Sequence, residues 1–156
     1  MSRALDAIFF DIDDTLFSTS VFAEKARRSA IDAMIAAGMQ ADHGAAMREL
    51  EEVIAEFSSN YSGHFDKVLD RLGPESTSGH NRAVIVAAGV VAYHETKWRE
   101  LRVHDDVYAV LQWLAGTGLV RGIVSAGIPI KQAEKLVRLG VLEFLTSLAA
   151  TVIVIC

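Results

Sequence analysis

Asp11-Ile12-Asp13-Asp14-Thr15 sets three carboxylates within four residues, directly after the apolar run Ala7-Ile8-Phe9-Phe10. Like charges at such spacing repel, and holding them beside an apolar segment is costly unless a cation neutralises them. Carboxylate oxygens suit a hard divalent ion such as Mg²⁺. From the carboxylates alone two readings stand. One is a cation-assisted site for an anionic substrate. The other is a polar turn in which Asp13 or Thr15 caps the next helix.

The elements around the acids favour a site. An unbroken apolar run, rather than an alternating one, predicts a strand buried on both faces, as in a parallel sheet. Ligands of open α/β sheets bind where such strands end. Ser20 is placed to cap a helix over residues 21–37, stopped by Gly38. Asp42 caps a second to about residue 57, and a third spans 63–72 before Gly73-Pro74. Residues 75–79 read as a loop, and a fourth helix covers 81–101 with Gly89 as a weak point. Asp105 or Asp106 opens a fifth through residue 114. Residues 119–124 are a second buried strand, weakened by Arg121 and Gly122, and Ser125-Ala126-Gly127 is a turn. Pro129 starts a sixth helix ending at Gly140, and residues 151–155 are a third strand. Strands separated by helices predict an α/β parallel sheet, and four helices between the first two strands exceed a simple crossover, so they read as an inserted helical subdomain. Trp98 and Trp113 are expected in the core.

Composition excludes several classes. The chain has 156 residues, 51% of them hydrophobic, which supports a packed core rather than disorder. Its formal net charge of −5 provides no basic field for nucleic acid. No apolar run is long enough for a membrane span, and the opening residues carry no signal peptide pattern. The one cysteine, Cys156, leaves no internal disulfide and fits a reducing cytoplasm.

Phe9-Phe10-Asp11-Ile12-Asp13-Asp14-Thr15-Leu16 resembles the first motif of the haloacid dehalogenase superfamily, a hydrophobic strand followed by DxDxT. Ile123-Val124-Ser125-Ala126-Gly127 is similar to its second motif. The helical insertion lies between them, where members with a helical (C1-type) cap carry it. The Lys-Gln-x-x-Lys-Leu pattern from Lys131, Leu139-Gly140-Val141, Asn60 to Phe65 and Tyr93 to Lys97 extend the likeness toward a phosphatase-like subgroup, over residues 7–145. The resemblance implies an incomplete Rossmann-like parallel core over 1–18 and 102–156, with an all-helical cap over 19–101. It implies Mg²⁺-dependent hydrolysis of a small phosphorylated metabolite. Asp11 would attack phosphorus, and Asp13 would act as acid and then base. Mg²⁺ would sit on Asp11 and Asp13, and Thr15, Ser125 and Ala126 would hold the phosphoryl group. Asp14 stands where the family commonly has Gly, and it is expected to cap or steady the turn. Lys131 is either a phosphate-pocket cation or a solvated first-turn lysine. His64 and Tyr93 are either pocket-lining or structural.

In the family the pattern continues to a Lys motif and a fourth strand ending in acidic residues. Here the sequence closes on Val152-Ile153-Val154-Ile155-Cys156, which resembles the family less. A truncation or frame change near Leu145 is the expectation. It carries two consequences: slow or absent turnover, and an exposed first-strand edge that drives homo-oligomer or strand-exchanged dimer formation. A non-catalytic binding or scaffold protein and a phospho-acceptor signalling domain are the competing readings. The large helical insertion argues against the second.

Overall fold

The computed structural model describes residues 5–58, 61–146 and 152–155. The element order is β1 (Ala7–Phe10), α1 (Thr19–Ala36), α2 (His43–Phe57), α3 (His64–Leu72), α4 (Arg82–Glu100), α5 (Val107–Ala115), β2 (Val120–Ala126), α6 (Pro129–Leu139) and β3 (Val152–Ile155). This is the expected α/β order. The described residues cluster into two compact units. One lies within Met1–Val21 and Leu101–Cys156, the other within Phe22–Glu100.

In the first unit the strands pair in the order β1-β2-β3, both pairs parallel. β1 meets β2 with Ala7 opposite Val120 and Phe10 opposite Ile123. β2 runs further than its sequence suggests. Ser125 and Ala126, expected in a turn, belong to the strand because they pair with Val154 and Ile155 of β3. Arg121, expected to weaken β2, is used by it. Its guanidinium donates to the carbonyls of Leu114 (3.2 Å), Leu119 (2.9 Å) and Phe144 (2.7 Å), which ties the end of α5 and a short 3₁₀ turn to the start of β2. α5 buries Val107, Leu111 and Leu114. Trp113 lies off that face and is 70% exposed, so the expected core tryptophan is a surface one.

The second unit is all-helical. Met34, Leu50, Val53, Phe65, Val68, Leu69 and Ile85 form the centre of its apolar core, supplied at helical spacing by all four helices. Asp42 caps α2 as expected, its Oδ1 accepting the Ala45 N–H at 3.0 Å. Gly89 is a contact point rather than a weak point. A Cβ there would stand 2.9 Å from Met34 Sδ and 2.8 Å from its Cγ, so a side chain at residue 89 would force Met34 of α1 to shift. Part of the loop expected over 75–79 makes a 3₁₀ turn, Pro74–Thr77. On the surface, Arg71 of α3 reaches Glu49, Glu52 and Glu56 of α2. No helix of the described residues is long and apolar enough to cross a membrane.

Candidate functional site

The loop after β1 is anchored from inside. Ile12, Leu16 and Phe17 are buried, and the Leu16 and Thr15 N–H groups donate to the Ile12 carbonyl at 3.0 and 3.4 Å. Ile12 turns inward at a bend, while Asp11 stays exposed and Asp13 half-buried on either side of it. Asp11 is exposed, with its Oδ1 accepting the Ile12 N–H at 2.7 Å. Asp14 takes φ +55°, the left-handed region that Asp tolerates better than most residues. There its carboxylate accepts both the backbone N–H of Thr19 (2.8 Å) and the Thr19 hydroxyl (2.5 Å). Those two bonds, then attraction to His104, hold the Asp14 carboxyl below the usual carboxylate range. The start of α1 is therefore held by Asp14, and the expected cap Ser20 lies inside the helix.

The second wall is the end of β2. Ser125 is buried. Gly127 then turns the chain into α6 at φ +123°, a conformation L side chains rarely adopt, and a Cβ on it would come within 3.1 Å of Gln132 Nε2. Pro129 opens α6, whose inner face is Gln132, Leu136 and Leu139. Two polar side chains of this helix meet Asp13. Gln132 Nε2 lies 3.1 Å from Asp13 Oδ2 and 3.3 Å from Ser125 Oγ, and it donates to the Ala126 carbonyl. Lys135 Nζ donates to both Asp13 oxygens at 2.6 and 2.8 Å. It stands 5.7 Å from the centroid of the Phe17 ring, on a side chain only 14% exposed.

The expected site residues divide accordingly. Asp13, Ser125 and Ala126 are joined through Gln132. Asp11 and Thr15 share the loop of Asp13, and Thr15 borders a cleft of about 140 Å³ that none of Asp11, Asp13 and Ser125 lines. Lys131 is exposed in the first turn of α6, and the lysine on Asp13 is Lys135, one turn later. His64 and Tyr93 lie in the helical unit, each with partners there. His64 Nε2 donates to the Ser58 carbonyl at 2.8 Å, with Tyr61 edge-on to its ring. Tyr93 packs edge-on to Phe65, and burial raises its hydroxyl pKa against the opposing charge of Arg27. Gln132 and Lys135 were the residues the spacing argument missed. Their signal is helical phase: positions 132, 136 and 139 bury, and position 135 lies beside them on the helix, three residues from Gln132.

Carboxylate and carbonyl oxygens at the end of a parallel strand are the donors Mg²⁺ takes. Among the described residues no cluster of three or more His, Cys, Asp or Glu side chains could hold a metal ion. Of that donor set the loop after β1 carries the Asp11 carboxylate and the Asp13 carbonyl. The parallel sheet, the acidic loop after β1 and the helix packed beside them define an α/β hydrolase-type core. Residues 5–155 match the haloacid dehalogenase-like hydrolase family, and the chain belongs to it. It is 44% identical over 142 residues to the glyceraldehyde 3-phosphate phosphatase of Methanopyrus kandleri, covering 90% of this chain and 59% of that protein. It is 45% identical over 142 residues to the enzyme of the same name from Pyrococcus furiosus, covering 91% and 57%. The chain thus spans less than two thirds of the length of these relatives. The crystal structure of a haloacid dehalogenase-like family hydrolase from Xanthomonas campestris is similar in fold, with TM-score 0.61 and 15% identity over 97% of this chain and 62% of that one.

Proposed function

We propose that this chain carries the site of a phosphomonoester phosphatase working through an aspartyl-phosphate on Asp11. The observation that carries this reading is the exposed Asp11 carboxylate, two residues from an Asp13 tied to the end of β2. Asp11 is free to approach phosphorus. Asp13 would give a proton to the leaving oxygen and then take one from the attacking water. Thr15 and Ser125 with the Ala126 backbone are the proposed phosphoryl contacts. The geometry favours Lys135 over Lys131 as the cation that serves them.

Mg²⁺, held by the Asp11 carboxylate and the Asp13 carbonyl, would supply charge stabilisation of the phosphoryl oxygens. The rest of its shell would be water and substrate. The helical unit is proposed as the cap that selects substrate, with His64 and Tyr93 as its contributors. The similarity to glyceraldehyde 3-phosphate phosphatases makes a three-carbon aldehyde phosphate the first substrate to test. A cytoplasmic setting suits a chain with one cysteine.

The test is phosphate release from a panel of small phosphomonoesters with Mg²⁺. Wild type is expected to turn over, and Asp11→Asn to lose about 10³-fold or more. Activity that survives Asp11→Asn would defeat the proposal. We also propose self-association through β1, which forms one edge of the described sheet with Phe9 half exposed. A monomer by light scattering at micromolar concentration would refute that part.

A further inference from the structure

Gln132 is an anomaly in the chemistry of the site. It is 3% exposed, and its Nε2 faces three acceptors, Asp13 Oδ2, Ser125 Oγ and the Ala126 carbonyl, while its Oε1 is buried with no hydrogen-bond partner. The orientation of the amide is set by chemistry. A carboxylate and a carbonyl only accept, so turning Oε1 toward them would set oxygen against oxygen. A buried polar atom left without a partner is unfavourable, and in native structures it calls for an explanation. A residue selected for packing alone would be a leucine or methionine at this position.

We propose that Gln132 is a positioning residue, which fixes the Asp13 carboxylate against the end of β2 so that the acid/base group and the Ser125 hydroxyl keep one spacing. The amide has two hydrogens for three acceptors, so it links the first loop to the second strand without holding any one acceptor permanently. The inference rests on the phosphatase reading for its kinetic consequence, but not for its geometric one.

The test uses Gln132→Met, which keeps the length and volume and removes both the donors and the orphaned acceptor. Its melting temperature is expected to change little, because removal of the orphaned Oε1 offsets the donors withdrawn from Ser125 and the Ala126 carbonyl. Its kcat for a phosphomonoester is expected to fall about tenfold or more, with KM within about threefold, because misplacement of a reacting group penalises the transition state first. A purely structural role predicts unchanged kcat, and that result would overturn the proposal. A second measurement needs no turnover. The chain has three glutamines, and Gln40 and Gln112 are exposed. The side-chain amide resonances of ¹⁵N-labelled Gln132 should stand apart from those two and move in Asp13→Asn and in Ser125→Ala. Should wild type prove inactive, the phosphatase reading fails while these shifts still support the tie. If the Gln132 resonances overlay the exposed pair and ignore both substitutions, the tie does not exist.

Discussion

The helical unit and the α/β unit keep their polar groups in different places. In the helical unit the core is built from Met34, Leu50, Val53, Phe65, Val68 and their neighbours, its buried polar groups among the described residues are the uncharged hydroxyls of Ser76 and Thr96, each hydrogen-bonded, and charge stays on the surface in pairs such as Arg71 with Glu56 and Arg82 with Asp70. In the α/β unit a glutamine, a serine, a lysine and an aspartate are gathered where the strands end. Buried polar contacts of this kind are expensive unless satisfied. The contrast sets an uncharged core in one unit against a charged, partly buried cluster at the proposed site in the other.

Four substitutions, with Lys131→Met as a control, test that division in descending order of expected effect. Leu50→Ala removes a 1% exposed side chain from the helical core and should destabilise the protein by about 2–5 kcal/mol in denaturant unfolding. A loss below about 1 kcal/mol would mean that the helical core is loosely packed. Lys135→Met should act the other way round. It removes the cation on Asp13, so phosphatase rate should fall by at least about tenfold while the fold survives, and Lys131→Met should change rate far less. Equal losses for the two lysines would erase the distinction drawn between them.

Asp14 offers a smaller effect with a defined pH dependence. Its folded pKa lies below the ordinary 3.8, chiefly through the Thr19 hydroxyl and N–H. A carboxylate with a depressed folded pKa contributes stability above its unfolded pKa and loses it as pH falls through the folded value. The melting temperature of wild type should therefore exceed that of Asp14→Asn near neutral pH, and the gap should close as pH falls below 3.8. A gap that widens in acid would reverse the assigned sign. Arg71→Ala should matter least, at about 1 kcal/mol or under, since its partners are exposed and screened. The same salt titration that weakens this pair should leave the Lys135–Asp13 contact, with its 14% exposed lysine, less affected.

Much of this was legible in the residues because it depends on local pattern. The apolar run before Asp11, the helical spacing through residue 100 and the Asp42 cap each predict what forms. What was not legible depends on contacts distant in sequence. Ser125 and Ala126 join β2 because β3 pairs with them. Asp14 displaces Ser20 as the cap because its left-handed backbone turns its carboxylate onto Thr19, five residues on. Lys135 rather than Lys131 meets Asp13 because the phase of α6 is set by burying Gln132, Leu136 and Leu139. Trp113 is exposed because the phase of α5 is set by Val107, Leu111 and Leu114.

Gly127 makes one outcome of a saturation mutagenesis screen foreseeable. Its φ of +123° and the 3.1 Å from a would-be Cβ to Gln132 Nε2 leave little room for any other side chain. Variants at 127 should be depleted about as strongly as those at 132, although the glycine has no group that could bind, donate or accept through a side chain. A map of intolerant positions would therefore mark 127 as part of the chemistry, when it records only a backbone conformation and the space the neighbouring amide occupies.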